Sequence, residues 1–192
     1  MSIVRLFVLL GFALNIQTSF AGVNEDLEAL KNVPRSYEDS GAICEEVARL
    51  DLKREYQAPQ YEVIVGIAYA DSQRTIGELD VVIFDKNINK VVKIAEVKCW
   101  KDMKAGLAKA KDQRARFIKT LNSGRQIFFK PNEGNGQFDR QHFEHNREFI
   151  AIGPRGSVDH GYDDELEHDL RTLHKMGSEM RRCQAFGSCA KP

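Results

Sequence analysis

Charge imbalance is missing from this sequence: 28 Lys and Arg stand against 28 Asp and Glu, and the formal net charge is zero. Global charge therefore gives no reason to expect a binder of nucleic acid or of an anionic membrane. Cysteine is scarce, with four in 192 residues. No two form a CxxC pair, and His142-x-x-His145 lies far from all of them in sequence, which argues against a structural zinc site. No EF-hand loop with its spacing and glycine is present, so a calcium loop is unsupported. Apolar runs long enough to cross a bilayer, about 18 residues, are also lacking. There is no internal repeat. With 42% hydrophobic and 29% charged residues, the chain is neither a disordered tail nor a collagen-like rod. Its length suits one domain with a sizeable core.

The first 21 residues read as a secretory signal peptide. Arg5 is the lone side-chain cation ahead of an apolar run at 6–14, broken only by Gly11. Asn15, Gln17 and Thr18 end that run too early for a membrane anchor, and Ser19-Phe20-Ala21 offers small residues where a signal peptidase reads. Cleavage before Gly22 would leave acid exceeding base by one. The expected organisation is a leader at 1–21, a short helix and loop at 22–40, one domain at 41–182 and a tail at 183–192. The product would be secreted or periplasmic, with no membrane attachment after cleavage. Export makes disulfides possible. Cys183 and Cys189 enclose a short Gly-containing loop and are the first choice of pair, leaving Cys44 with Cys99 by elimination; free buried thiols are the alternative for the latter two.

The order of elements is α/β. Helices are expected at 24–31, 41–53, 103–121 and 163–180, and strands at 61–69, 75–85, 91–99, 126–129 and 148–153. Met103, Leu107, Ala110, Phe117 and Leu121 form one stripe of the 103–121 helix. The chemistry concentrates on the second and third strands. A polar connection at 86–90 makes them an antiparallel hairpin centred near Ile88, in which Asp80 faces Glu96 and Glu78 faces Lys98. Two opposed carboxylates on a sheet repel, and a divalent cation would compensate them. Mg²⁺ prefers one or two carboxylates and binds readily beside phosphate. Lys98, on the same face, is suited to polarise a water and to stabilise charge building on phosphorus.

Gly77-Glu78-Leu79-Asp80 followed by Glu96-Val97-Lys98 resembles the PD-(D/E)xK nuclease superfamily, in which a Glu-bearing helix precedes such a hairpin and another helix packs on the sheet. Upstream, Gly41-x-x-x-Glu45-x-x-Ala48-x-x-x-Leu52 resembles members related to Holliday-junction resolvases. The resemblance spans about 41–121. It implies a restriction-endonuclease-like mixed central sheet flanked by helices, and a nuclease that hydrolyses phosphodiester bonds with Mg²⁺ or Mn²⁺, on DNA in preference to RNA. Asp80, Glu96 and the Val97 carbonyl would hold the metal, Glu45 would assist, and Lys98 would activate the attacking water. Gly41, Glu45, Ala48 and Leu52 share one helix face within about 60°, which selects Glu45, with Glu46 as the alternative. Gln113, four residues before Phe117, is similar to the Gln-x-x-x-Tyr element of RecB-like nucleases and is expected to contact substrate.

Eight basic residues against two acidic ones lie between Lys98 and Lys119. Such a stretch suits positioning on a phosphate backbone, and Lys101, Lys104, Lys111 and Arg114 are the expected contacts beside Gln113. A solvated helix face is the plainer reading of the same run. Trp100 is expected in the core in preference to stacking on a base. The five histidines show no ligand spacing. The six acidic residues between 159 and 169 read as a helix N-terminus in preference to an internal phosphate mimic. Two other classes stay open: a non-catalytic nucleic-acid-binding module on the same fold, and an exported structural or partner-binding protein.

Overall fold

The computed structural model describes residues 18–132, 136–144 and 148–192, with side chains from 22 onward. Most of the leader expected at 1–21 lies outside the described residues. Among those described, four α-helices and six strands make a mixed α/β fold around one six-stranded sheet of order β4-β1-β2-β3-β5-β6. No helix among them is long and apolar enough to cross a membrane.

Helix α1 (Thr18–Leu30) places Val23, Leu27 and Leu30 on one stripe against the core. Helix α2 (Ser40–Glu55) starts where the Asp39 side chain accepts from the Gly41 amide at 2.8 Å, satisfying one of the N–H groups that a helix start leaves open. Both helices share one face of the sheet with α4 (Leu170–Ala185). The other face carries α3 (Met103–Leu121), capped by Asp102. Of the expected α3 stripe, Ala110, Phe117 and Leu121 are buried together with Gly106, while Met103 and Leu107 are half-buried. Phe117 is the hub of an aromatic cluster with Tyr69, Phe129, Phe143 and Phe149.

Strands β1 (Tyr61–Ala70), β2 (Thr75–Asp85) and β3 (Lys90–Val97) form an antiparallel meander, and β3 then pairs in parallel with β5 (Glu148–Gly153). Strand β4 (Phe128–Pro131) closes the far edge against β1. The expected 126–129 strand is displaced because it is the Phe128–Pro131 backbone that pairs with residues 67–70. The β2–β3 register is the expected one near the site, Val81↔Ala95 and Val82↔Ile94, with a bulge only beyond Ile83.

One local feature departs from simple alternation. Val63 and Val65 face α1, α2 and α4 with Val81 and Ile83, whereas Ile67 and Tyr69 face α3 with Leu79. The change falls where the β1–β2 ladder passes from Val65↔Val81 to Ile67↔Leu79, with Gly66 (φ 71°) and Asp80 between them. A side chain at Gly66 would be strained at that φ and would collide with Asn132.

The acidic run at 159–169 is not the start of a helix, a correction to the expected 163–180 span. Its backbone is consumed by the sheet edge: Asp163 and Leu166 donate to the Ala151 and Gly153 carbonyls, and Asp164–Glu165 forms β6 beside β5. Asp169 alone caps a helix, accepting from Thr172 at 2.8 Å. Both expected disulfides are formed, Cys44–Cys99 and Cys183–Cys189, with Cα atoms 6.4 and 5.4 Å apart.

Candidate active site

Continuing the Val81↔Ala95 register by one residue sets Asp80 across from Glu96 at the end of the β2–β3 hairpin. Both are buried, at 6% and 2% exposure. Lys98 follows the last β3 residue, held by its amide to the Ile152 carbonyl at 2.9 Å. Its ammonium donates to Asp80 Oδ2 at 2.5 Å and to the Val97 carbonyl at 3.0 Å, and reaches Glu96 Oε2 at 3.5 Å. The Val97 amide donates to the same Asp80 oxygen at 2.8 Å. Glu78, expected opposite Lys98, instead accepts from Asn132 Nδ2 at 2.6 Å and is exposed.

The two candidate glutamates of α2 do different things. Glu46 is fully buried between Arg35, 3.0 Å away, and Arg49, 2.6 Å away. Glu45 faces a cleft of about 230 Å³ that it lines with Lys98, Trp100, Lys109 and Gln113. Arg35 also donates to Glu45, so one guanidinium spans both carboxylates. Glu45 is thus the cleft residue, and Glu46 is locked in a structural ion pair.

Electrostatics show an anion-crowded centre. Burial, and then Asp80, push the Glu96 carboxyl up to about 9, with Lys98 only partly opposing. Burial, Asp80 and, more weakly, Glu78 raise Glu45 to about 7 against the pull of Arg35. Burial works against a charged Lys98, yet Asp80 and Glu96 outweigh it and its pKa is raised. Glu96 Oε1 is buried without a hydrogen-bond partner. Two carboxylates and a carbonyl converging on one cation, with a further carboxylate oxygen unsatisfied, form a donor set that fits a hard divalent ion such as Mg²⁺ or Mn²⁺.

The expected substrate contacts do not form one track. Gln113 lines the cleft, and its Oε1 is buried without a partner. Lys111 and Arg114 line a separate cavity of about 140 Å³ that has Glu96 in its wall, with Arg114 lying 5.2 Å over the Phe149 ring. Lys104 is exposed. Lys101 faces a groove along α4. Trp100, expected in the core, is 45% exposed just past the end of β3 and lines the cleft between α2 and α3. Phe117, in the place of the RecB-like tyrosine, is buried in the aromatic cluster, where a hydroxyl would need a partner.

Three contributors were not anticipated. Arg35 comes from the loop before α2, and nothing in its local sequence marks it. Lys109 lies four residues before Gln113, and that spacing puts the two on one helix face. Gly106 lets α3 approach: a Cβ there would lie 3.4 Å from the Cβ atoms of both Lys98 and Trp100 and 2.5 Å from the Tyr162 hydroxyl.

Among the described residues, a second acidic group, Asp26, Asp51 and Glu167, brings carboxylate oxygens within 4.8 Å of one another. Arg54 already fills it, 2.7 Å from Asp26, 2.6 Å from Asp51 and 3.4 Å from Glu167, and His168 adds a contact to Asp26 at 2.7 Å. Arg54 offsets the cluster in part, Asp51 Oδ2 staying buried without a hydrogen-bond partner, and the contacts tie α1 and α2 to the segment before α4. No family model, no curated protein and no solved structure matches the chain.

Proposed function

We propose that this protein is an exported, metal-dependent nuclease that hydrolyses phosphodiester bonds, acting on DNA in preference to RNA, on a restriction-endonuclease-like sheet. The observation that carries the reading is the convergence of Asp80 Oδ2, Glu96 Oε2 and the Val97 carbonyl on one cation position, occupied by the Lys98 ammonium. The succession of Glu-bearing helix, three antiparallel strands, helix and parallel strand also accords with the PD-(D/E)xK resemblance. Two disulfides are compatible with export.

Asp80, Glu96 and the Val97 carbonyl would hold Mg²⁺ or Mn²⁺, with Glu45 assisting from across the cleft. Such an ion lowers the pKa of a water and neutralises charge on a phosphoryl group. Lys98, yielding that position to the ion, would orient the attacking water and stabilise charge that develops on phosphorus. Arg35 keeps Glu45 from swinging into solvent, so its carboxylate faces Asp80 at a fixed position. Gln113 lines the cleft with its Oε1 buried and unsatisfied, an acceptor that a small side-chain movement would offer to a water or a substrate donor. Trp100 offers an exposed ring at the cleft mouth on which a base could stack.

The test is incubation of the mature protein with plasmid DNA and with RNA, in Mg²⁺, Mn²⁺ or EDTA. Cleavage should require the metal. Lys98→Ala should abolish it while leaving nucleic-acid binding intact. Cleavage in EDTA would overturn the mechanism, and binding without cleavage in any divalent metal would favour a non-catalytic module.

A further inference from the structure

A groove of about 740 Å³ runs along the outward side of α4, and Lys101, Arg171, His174, Lys175 and Arg182 line it with Glu179 as the single acidic side chain of the lining. Helix α4 is fixed by its other side, where Leu173, Met176 and Met180 are buried and Gly177 packs against Ile43. Its register therefore dictates that 171, 175, 178 and 182 form one outward stripe. That stripe is about 16 Å long, the axial span of roughly five phosphates on one strand of a duplex.

The cations here differ from those elsewhere on this side of the fold. Arg35 and Arg49 are held by the buried Glu46 and Arg54 by the buried Asp26. Among the described residues, no ion pair within 4.0 Å engages Lys101, Arg171, Lys175 or Arg182. Unpaired, solvated and aligned, they present net positive charge to whatever enters the groove. The groove and the candidate cleft are lined by consecutive residues, Lys101 in the groove and Trp100 in the cleft. The cleft, at about 230 Å³, has room for little more than the reacting phosphate and its neighbours.

We propose that the outward face of α4, together with Lys101, is a second backbone-binding track that holds the phosphates of a nucleic-acid strand flanking the one in the cleft. This rests on the proposed nuclease reading and extends it: the substrate is a polynucleotide gripped on both sides of Trp100, and the charge that positions it comes from α4 as well as from α3. His174 adds a ring N–H donor to the lining. Glu179, beside the stripe between Lys175 and Arg182, offsets part of that positive charge.

The experiment uses Arg171→Ala, Lys175→Ala and Arg182→Ala combined in the full mature chain, with a fluorescein-labelled 20-nucleotide single strand and its duplex as probes, in EDTA, by anisotropy across a salt series. Affinity should fall about tenfold or more at low salt, and the log–log salt slope should shrink by about 2 to 3, at about 0.7 per contact on a single strand and 0.9 on a duplex. A charge-conserving variant, Arg171→Lys, Lys175→Arg and Arg182→Lys, should bind like the wild type. The melting temperature should be unchanged, because these side chains are exposed. With Mn²⁺, KM for long DNA should rise while kcat on the small diester bis(p-nitrophenyl) phosphate stays constant. An unchanged affinity and salt slope would overturn the proposal. So would adsorption of the wild type to vesicles of phosphatidylcholine with 30% phosphatidylglycerol (about the anionic share used in such assays), lost in the triple variant while DNA binding persists. If the wild type binds DNA through α4 but cleaves nothing in Mg²⁺ or Mn²⁺, the track stands and the catalytic reading falls.

Discussion

Replacing Glu96 by Gln should make the metal-free protein more stable and make it catalytically dead. The fold holds the Glu96 carboxyl at about 9, through burial and then the neighbouring Asp80, against an ordinary value of 4.5. Because the folded value lies above the unfolded one, the unfolded chain releases this proton first. Stability contributed by the group is full below the ordinary value and is lost as pH rises from there toward 9. At pH 7 the linkage cost is about 3 kcal/mol, at about 1.4 kcal/mol per pH unit. Gln has nearly the same shape, cannot ionise and keeps a donor for Asp80, so a gain of about 1 to 3 kcal/mol is expected, or roughly 3 to 10 °C in melting temperature for a chain of this size. The difference should vanish near pH 4.5 and grow steadily toward pH 8. Millimolar Mg²⁺ or Mn²⁺ should stabilise the wild type, since an ion that binds only the native state raises its stability by mass action, and should leave Glu96→Gln unmoved. Cleavage should fall by about a hundredfold or more, given how much charge stabilisation a held metal supplies. Differential scanning fluorimetry at pH 5, 7 and 8, with EDTA or metal, reads all of this. A Glu96→Gln protein less stable than the wild type at pH 7, or a gain that ignores pH, would refute the reasoning.

The two disulfides should separate by function. Cys44→Ser with Cys99→Ser opens a link between residues 55 apart, worth about 4 kcal/mol by the loop-entropy relation, and should lower kcat and metal affinity because it frees α2 from the β3 end. Opening Cys183–Cys189, which joins residues only 6 apart, should cost about 2 kcal/mol and leave kcat unchanged; equal losses of kcat from both would contradict this. Asp169→Ala should cost about 1 kcal/mol by urea unfolding at pH 7, as expected for loss of an N-cap. The Thr172 amide holds the Asp169 carboxyl below its ordinary 3.8, so the wild type's advantage exists above that value and is lost as pH falls through the lower folded value. A penalty that persists undiminished in strong acid would show that the cap is not electrostatic.

The hairpin was legible because both of its determinants are local. Strand periodicity and a short polar turn fix the 176 sum of opposed residues, and Val81↔Ala95 follows. Helix α3 was legible for the same reason, as a capped periodic run ended by Asn122-Ser123-Gly124. The acidic segment at 163–169 misled because its periodic leucines suit a helix, while its backbone donors are claimed by β5, a partner that no local pattern reveals. Trp100 misled because burial habits describe an average position, and this one stands at a strand end left open beside the cleft. Arg35 was invisible: a loop arginine becomes a site residue only once α2 turns Glu45 and Glu46 toward it. The α4 stripe was hidden by the same boundary error, since a helix drawn from 163 mixes acid into a face that is basic from 171 onward.

What holds three carboxylates together in the absence of a compensating ion is itself informative. Asp80 raises the pKa of both Glu45 and Glu96, so ionising either one would push α2 away from the sheet and open the hairpin end. Three consecutive residues of α2 oppose this in different ways. Cys44 bonds covalently to Cys99, the residue after Lys98. Glu45 is tethered by Arg35. Glu46, buried between Arg35 and Arg49, fixes that same arginine in place. A surface ion pair would contribute at most about 1 kcal/mol to such a clamp. The burial of Glu46 raises the cost of breaking it to about 3 to 5 kcal/mol once both arginines are lost, because the charge is then stranded in the core. The helix is therefore secured at the very turn where electrostatics would release it, and the apolar packing of Ile43, Val47 and Ala48 alone would not fix the Glu45 carboxylate to one position. Stability is spent to keep ionisable carboxyls together, and a divalent cation that displaced their protons would convert that cost into affinity.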